Sequence, residues 1–497
     1  MSVCSVVLCA GNSTRMHSAH SKMVHPLCGQ PICFWVLDTA LAANQGPVVA
    51  VVQRADDPVA MRVAQHYGSR VQLVYQQQPQ GTGDAVRVAM QQIDSSCQQL
   101  LVLYGDTPLL RGETLQRLVA AQQQTQALVT MLTSHCDNPT GYGRIVRNEQ
   151  GSVVAIVEER QANAQQKQLQ EINPGVYLFA YDFLASALPR LALRESVQEY
   201  QLTDCIAAAQ LQSAQHAKAV ADVPVATQEI LGINNRRQLA MVQEILRQRI
   251  VQHWMNQGVS CVDPQRTYID ADCVLQHDVL LEPGVMLRGC CYLHEGVHVS
   301  AGCILTDCVV EQGVCLLPYS VCDGMHAQAG ARIGPFARVR PDTVVGPQAR
   351  VGNFVEVKAA TLRQGVKVNH LAYVGNAHVG QNSNVGAGAV VCNYDGVAKH
   401  HTHVDSQVFV GSNSTLVAPV RVGQGAYVAA GSVVTQDVAA NALAIARGKQ
   451  YTKQQAALAL RERLQQHKDS GKIQANSADK AGQQLESNSQ PTGEPTT

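Results

Sequence analysis

From Cys273 onward the chain places a small apolar residue at every sixth position. The run is Cys273, Val279, Val285, Cys291, Val297, Cys303, Val309, Cys315, Val321, Ala327, Ile333, Val339, Val345, Val351 and Val357. With 46% apolar residues in the chain, chance would give such a frame about once in 10^5. The beat resumes at Leu362, Val368 and Val374, at Val379, Val385 and Val391, and from Val404 through Val410, Leu416, Val422, Val428 and Val434. Neither an α-helix nor an alternating strand has this period. A three-sided prism does. Each hexad makes one flat side with its apolar side chain toward the axis, and three hexads close a coil. Coils stack as parallel strands, so roughly ten of them between residues 265 and 440 make a prism about 48 Å long. Glycine follows the inward residue at Gly334, Gly346, Gly352, Gly380, Gly386, Gly411 and Gly423. A corner there calls for positive φ or for close backbone approach.

The first half has another rhythm. Apolar runs at 3–9, 48–52, 71–75 and 100–104 read as strands, and 32–43, 59–67, 83–93 and 113–123 as helices between them. This alternation predicts an α/β fold, a parallel sheet with helices on both faces. Ligands on such sheets bind at the carboxyl ends of the strands. Leu239, Val242, Ile245, Leu246, Ile250 and Trp254 keep helical spacing and predict a linker helix. The expected organisation is a nucleotide-binding domain at 1–235, a linker helix at 236–257, the prism at 258–451, and a tail at 452–497. The tail is helix-prone at first and, from Asp469, too poor in large apolar residues to bury a core.

Composition narrows the classes. The 497 residues suit two or three domains, and a net charge of zero offers no basic face for nucleic acid. No apolar run reaches a membrane span, and the N-terminus lacks a charged n-region, so a cytoplasmic protein is expected. Of the 16 cysteines, Cys273, Cys291, Cys303 and Cys315 fall on the hexad beat, and no CxxC occurs. They read as reduced thiols, not as a disulfide or metal framework.

After the first strand stands Leu8-Cys9-Ala10-Gly11-Asn12-Ser13-Thr14-Arg15-Met16, with Lys22 downstream. Small residues let the backbone approach a nucleotide, and Arg15 adds a permanent cation. Tyr104-Gly105-Asp106-Thr107-Pro108 ends the fourth strand. Asp106 there can hold Mg2+ against phosphate oxygens; its plainer reading is a helix cap. With Gln76, Gly81-Thr82-Gly83, Gly141-Tyr142-Gly143-Arg144, Glu158, Asn173 and Gly232-Ile233-Asn234, the set resembles the sugar-phosphate nucleotidyltransferases. The repeat resembles the hexapeptide-repeat, left-handed parallel β-helix family, which commonly forms trimers and transfers acyl groups.

Together the two halves resemble, over about residues 3–450, the bifunctional family that joins glucosamine-1-phosphate acetyltransferase to N-acetylglucosamine-1-phosphate uridylyltransferase. That family feeds peptidoglycan and lipopolysaccharide precursor synthesis. The resemblance implies a uridine nucleotide-sugar site lined by Leu8, Cys9, Ala10, Gly11, Arg15, Lys22, Gln76, Gly81, Thr82, Tyr104, Gly105, Asp106, Gly143, Glu158, Asn173 and Asn234. It implies Mg2+ held by Asp106 and Asn234, with UTP and acetyl-CoA as co-substrates and a homotrimer as the assembly. Three positions depart from the family pattern. Ser21 replaces a proline, Pro79 a glutamine in the base-reading loop, and Cys9 an alanine. With Pro79, one base or phosphate contact is either absent or supplied by Gln78 or Gln80, and Cys9 predicts that thiol alkylation inhibits uridylyl transfer.

In the prism the beat shortens to five residues at Val357–Leu362 and Val374–Val379, and a loop at 392–403 interrupts it. Departures from a repeat tend to mark functional sites. Gly352-Asn353-Phe354, Asn369-His370-Leu371-Ala372-Tyr373 and Cys392-Asn393-Tyr394-Asp395-Gly396 resemble the family's acetyltransferase centre. Acetyl transfer needs a neutral amine, and a histidine can take its proton. His370 is assigned as that base; for an arbitrary histidine, a structural corner role would be the better reading. The resemblance further implies sugar-phosphate contacts from Arg340, Lys358, Tyr373, Asn384, Asn393 and Tyr394, and acetyl-CoA contacts from Ala387, Ser412, Ala430 and Arg447. Three other readings stay open at this point. They are a nucleotidyltransferase with the prism as scaffold, a non-catalytic sugar-nucleotide-binding regulator, and a zinc hydratase using cross-subunit histidines, with His370 and His378 as recruits.

Overall fold

Each hexad of the prism turns two side chains inward, not one. In the strand Val274–Leu275, Val274 is 45% exposed and Leu275 is 4%. The residue two before Leu275, Cys273, is also buried, and so are the pairs Val279/Leu281, Val285/Leu287, Cys291/Leu293, Val297/Val299 and Cys303/Leu305. The six-residue beat therefore begins on the first inward position and finishes, from Ala327 on, on the second. It crosses between them through Val309, Cys315 and Val321, which face outward. Val309 is 39% exposed, and the inward residues are Cys308 and Val310, Val314 and Leu316, and Cys322. So Cys315 is not a core residue, whereas Cys308 and Cys322 are. A single frame hides this because valine suits both sides of a strand.

The crossing is made by two further five-residue spacings, Leu305 to Val310 and Cys322 to Ala327. Leu293 pairs with Val310, and Val310 with Ala327. All four short turns lie at one corner, between the second and third sheets, and the 392–403 loop lies there too. Asp307, Gly324, Ala359 and Asn376 take left-handed φ at this corner and close it with one residue fewer. Short turns are thus a property of this edge, and two of the four lie far from the expected chemistry.

The computed structural model describes residues 2–11, 14–43, 46–94, 96–194, 198–212 and 218–470. In it the left-handed β-helix consists of three parallel sheets of eleven, ten and nine strands. The first runs from Ser260–Cys261 to Leu443–Ala444, the second from Tyr268–Ile269 to Val433–Val434, and the third from Val274–Leu275 to Val420–Val422. Of the corner glycines, Gly334 alone has left-handed φ. The others permit close approach. A Cβ on Gly346 would lie 2.6 Å from the Leu362 carbonyl oxygen of the next coil. Gly346→Ala should therefore destabilise the prism by about 1–3 kcal/mol. Thermal unfolding checks this, and an unchanged midpoint would count against it.

The first half forms a ten-stranded sheet. It is parallel through Val71–Tyr75, Val48–Val52, Val3–Leu8 and Gln99–Tyr104, and again where Val220–Pro224 pairs with Val129–His135. Tyr177–Ala180 then inserts antiparallel between Gln99–Tyr104 and Val129–His135, and Gly143–Arg147 pairs antiparallel with Val153–Val157. The expected parallel sheet is corrected to a mixed one. The 143–157 hairpin turns at Gly151, φ +77°, and a tight turn can join only antiparallel strands. Apolar clusters cover both faces of the sheet. Val7, Leu37, Leu103 and Leu115 belong to one, and Val6, Val86, Val102 and Phe179 to the other.

The helix Arg236–Asn256 packs Val242 and Leu246 against Leu27, Ile32 and Leu109, while its Val251 joins the prism core. The described residues up to Ala444 form one compact unit and those from Ile445 on a second. In the second, residues 456–470 are helical. The tail beyond residue 470 lies outside the described residues.

Two candidate active sites

The strands Val3–Leu8 and Gln99–Tyr104 end side by side, and the Gly105 N–H donates to the Leu8 carbonyl at 3.0 Å. This brings the loop after Leu8 against Asp106. Lys22 stands on the short turn Lys22–Val24, where the Ser21 hydroxyl accepts from the Met23 N–H at 3.4 Å. Serine in place of proline thus gives the turn a side-chain cap. Lys22 Nζ lies 2.5 Å from Asp106 Oδ2 and donates to Asn234 Oδ1 at 3.0 Å. The Arg15 guanidinium donates to the same Asn234 oxygen at 2.9 Å, and the Ile233 N–H to the Asp106 carbonyl at 2.9 Å. Four polar groups assigned to one site from the sequence therefore meet. Asp106 Oδ2 and Asn234 Oδ1 already share one cationic partner, the Lys22 ammonium. Two hard oxygens converging on a cation fit a magnesium ion.

Around this centre, Leu8 and Cys9 are buried, and among the described residues other than its chain neighbours no atom lies within 4 Å of a Cβ placed on Gly11. Ala10 is half-buried beside it; Asn12 and Ser13 of the motif lie outside the described residues. Gln76 is buried, and its amide nitrogen donates to Asp84 at 2.7 Å and to the Gly81 carbonyl at 3.2 Å. Gly81, φ +95°, leads into the helix Thr82–Met90. Pro79 and Gln78 are exposed, while the Gln80 carbonyl accepts from the Tyr200 N–H at 2.8 Å. Gly143, Glu158 and Asn173 meet on the antiparallel side of the sheet. A Cβ on Gly143 would lie 3.6 Å from both the Glu158 carboxylate and Asn173 Cβ. Burial raises the Glu158 carboxyl above its ordinary pKa, against a 3.4 Å hydrogen bond from Thr203. Burial likewise raises the Tyr104 hydroxyl, which is hydrogen-bonded with Thr82.

Cys9 does not present an accessible thiol. Its hydrogen bond with Cys33, followed by burial, raises its pKa well above the ordinary value. Both sulfurs are buried. Alkylation of the native protein should instead reach the exposed Cys290 and Cys392 first. Peptide mass spectrometry after brief iodoacetamide treatment checks this, and early labelling of Cys9 would contradict it.

In the prism, the corner between the first and second sheets carries a column of assigned residues. The Leu371 N–H donates to the Asn353 carbonyl at 3.1 Å, Gly388 to His370 at 3.4 Å, Asn413 to Ala387 at 2.8 Å and Gly431 to Ser412 at 2.8 Å. Asn353, His370, Ala387, Ser412 and Ala430 thus stand one coil apart. His370 is exposed, with Nδ1 2.7 Å from Asn353 Oδ1.

A second group lines the second sheet and its far corner. Arg340 pairs with Glu356 at 2.9 Å, and Glu356 is in register with Tyr373. Lys358 lies beside Arg340 and Lys399. The Lys399 contact, and then its charge and that of Arg340, lower the Lys358 pKa. Asn393 is buried and its amide donates to Asn376 Oδ1 at 2.7 Å, while the exposed Tyr394 hydroxyl donates to the Gly396 carbonyl at 2.5 Å. Asn384 is not brought to this group. It stands on the first sheet in register with Lys367 and Phe409. Arg447 belongs to the second unit. Sequence reasoning missed Asn353 as the partner of His370, and Lys399 as the third cation. Position in the loop that interrupts the beat was the available signal for Lys399.

Within one chain His370 and His378 do not meet. His378 pairs with His403 on the third sheet, ring centroids 6.3 Å apart, while His370 lies on the first. Among the described residues, the one group of three metal-type donors within reach of each other is the exposed His277, Asp278 and Glu295. No helix among the described residues is long and apolar enough to cross a membrane.

Residues 5–192 match the MobA-like NTP transferase domain, and residues 321–448 the GMPPB C-terminal domain. The bifunctional protein GlmU of Sorangium cellulosum is 43% identical over 464 residues, 93% of this chain and 97% of that protein. Those of Trichlorobacter lovleyi and Streptomyces coelicolor are 41% and 42% identical, covering 90% of this chain and 96% and 92% of their own lengths. Identity of this extent spans both candidate sites, and the chain belongs to the GlmU family of bifunctional acetyl- and uridylyl-transferases.

Proposed function

We propose that the two sites act in sequence on one metabolite. The prism transfers acetyl from acetyl-CoA to glucosamine 1-phosphate, and the sheet domain transfers uridylyl from UTP to the product. The observation that carries the reading is the presence of two separate polar centres on one chain, Lys22–Asp106–Asn234 and His370–Asn353.

In the prism, the side-chain Oδ1 of Asn353 accepts from Nδ1–H of His370, leaving Nε2 with the lone pair. That nitrogen takes the amine proton as the amine attacks the thioester carbonyl; the C–S bond breaks and the thiol leaves. Arg340 and Lys358, with Lys399, hold the sugar phosphate. Tyr373, Asn393 and Tyr394 face the sugar. Ala387, Ser412 and Ala430 form a track of about 14 Å from His370, suited to an extended acetyl-CoA arm. A homotrimer is favoured by an exposed ladder at the same corner. Tyr319, Phe336 and Phe354 stack with centroids 5.4 and 5.5 Å apart and Leu371 follows, all at left-handed φ. Bulky residues rarely adopt that conformation, and the exposed apolar strip suits burial against another copy.

In the sheet domain, a phosphate oxygen of N-acetylglucosamine 1-phosphate attacks the α-phosphorus of UTP and pyrophosphate leaves. Arg15 and Lys22 neutralise the charge that develops. Asp106 and Asn234 would hold magnesium, which when bound supplies further neutralisation at phosphate oxygens. Gln76, Gly81 and Thr82 receive the base, and Gly143, Glu158 and Asn173 the sugar. We place these activities at 1–235 and 258–451, joined by the helix at 236–257, in the cytoplasm, feeding peptidoglycan and lipopolysaccharide precursors.

The test supplies glucosamine 1-phosphate, acetyl-CoA, UTP and Mg2+ to the full chain. UDP-N-acetylglucosamine should appear by mass spectrometry, with one free thiol and one pyrophosphate per product. Thiol release without nucleotide sugar would overturn the two-step reading.

A further inference from the structure

We infer that His25 is a positioning residue for uridylyl transfer, holding the Lys22 turn in register with Asn234 through Arg236. The inference rests on the uridylyl-transfer reading of that site.

His25 closes the Lys22 turn with its own backbone. Its N–H donates to the Lys22 carbonyl at 3.2 Å, and its carbonyl accepts from the N–H of Ile32 at 3.1 Å, the first residue of the helix Ile32–Ala43. The side chain is 8% exposed, and Nδ1 lies 3.3 Å from a terminal nitrogen of Arg236. A guanidinium can only donate, so Nδ1 is the acceptor and the ring proton sits on Nε2. Nε2 is buried and meets no partner among the described residues. A buried donor without an acceptor costs stability. An apolar side chain would avoid that cost, so the imidazole is kept for its contact with Arg236. Burial, then the charges of Arg236 and His20, depress the His25 pKa and agree with a neutral acceptor.

Arg236 moves with Asn234. It opens the helix Arg236–Asn256, whose cap Asn235 accepts from the Gln238 N–H at 2.9 Å, and the Asn234 N–H donates to Gln238 Oε1 at 2.8 Å. Lys22 also reaches Asn234 and Asp106 directly. Those contacts use an ammonium that the phosphates of UTP attract and oxygens that fit magnesium. The His25–Arg236 bridge uses none of these groups. It can keep the turn and the helix start aligned while Lys22 changes partner.

A shift of the Lys22 ammonium weakens neutralisation of charge in the transition state more than it weakens binding of UTP. His25→Ala should therefore lower uridylyl kcat by about 10-fold with KM for UTP changed by less than about 2-fold. Acetyl transfer should be unaffected. An asparagine oxygen can take the place of Nδ1, whereas a glutamine amide reaches the place of Nε2. His25→Asn should then restore most of the rate, and His25→Gln should not. In metal-free protein, hydrogen exchange at Met23–His25 and at Gln238 should quicken in His25→Ala and return to normal in His25→Asn. Wild-type kcat in His25→Ala, or rescue by Gln as complete as by Asn, overturns the inference. If His25→Ala also loses acetyl transfer through misfolding, the Asn and Gln variants decide. Asp106→Ala is assayed alongside: full uridylyl transfer in that variant would mean that the site reading, not the role of His25, has failed.

Discussion

Asp106→Ala should lower uridylyl transfer by about 10^3-fold and leave acetyl transfer unchanged. The carboxylate is the one full negative charge in the Lys22–Asp106–Asn234 group, 2.5 Å from the ammonium. Its removal takes away an oxygen suited to magnesium and the partner that holds Lys22. The local backbone should survive, because the Ile233 N–H bonds to the main-chain carbonyl of Asp106, which alanine retains. The loss should therefore appear as chemistry and not as unfolding. Asp106→Asn keeps the shape without the charge; a loss nearly as large would assign the effect to charge. Pyrophosphate release measures the first reaction and free thiol the second. A parallel fall in both rates would contradict separate sites.

The repeat and the motifs were legible because they rest on local rules. A hexad needs a small inward residue whatever its neighbours do, and a nucleotide loop needs small residues next to a strand end. What the sequence concealed depends on pairing between distant segments. Val309, Cys315 and Val321 kept the beat only because two short turns moved the inward frame by one residue each. Register with the coil below decides which of two adjacent apolar residues is buried. The antiparallel half of the sheet was hidden for the same reason. Tyr177–Ala180 is apolar enough for either direction, and its direction is fixed by its neighbours. Lys399 stands 41 residues after Lys358 in sequence and touches it only because the interrupting loop folds back, through the bridge between Tyr394 and Lys399. Cys9 shows the reverse. Its position in the nucleotide loop was legible, its contact with Cys33 was not, and that contact with burial makes it an unreactive thiol.

His370→Ala should lower acetyl transfer by about 10^2–10^4-fold while uridylyl transfer continues at the normal rate. The histidine is exposed at a corner, so its loss removes little packing and the prism should melt as before. The Asn353 contact at 2.7 Å adds a graded test. Asn353→Ala frees the ring to choose the other tautomer and should cost less, about 10-fold, as a fault of orientation. Asn353→Asp should recover part of that loss, because a carboxylate also accepts from Nδ1–H. Bypass separates chemistry from assembly. With N-acetylglucosamine 1-phosphate supplied, the His370→Ala protein should make nucleotide sugar as fast as wild type; with glucosamine 1-phosphate and acetyl-CoA, it should make almost none. If product forms at a wild-type rate from glucosamine 1-phosphate, the base lies elsewhere, and the column from Asn353 to Ala430 is left as a scaffold.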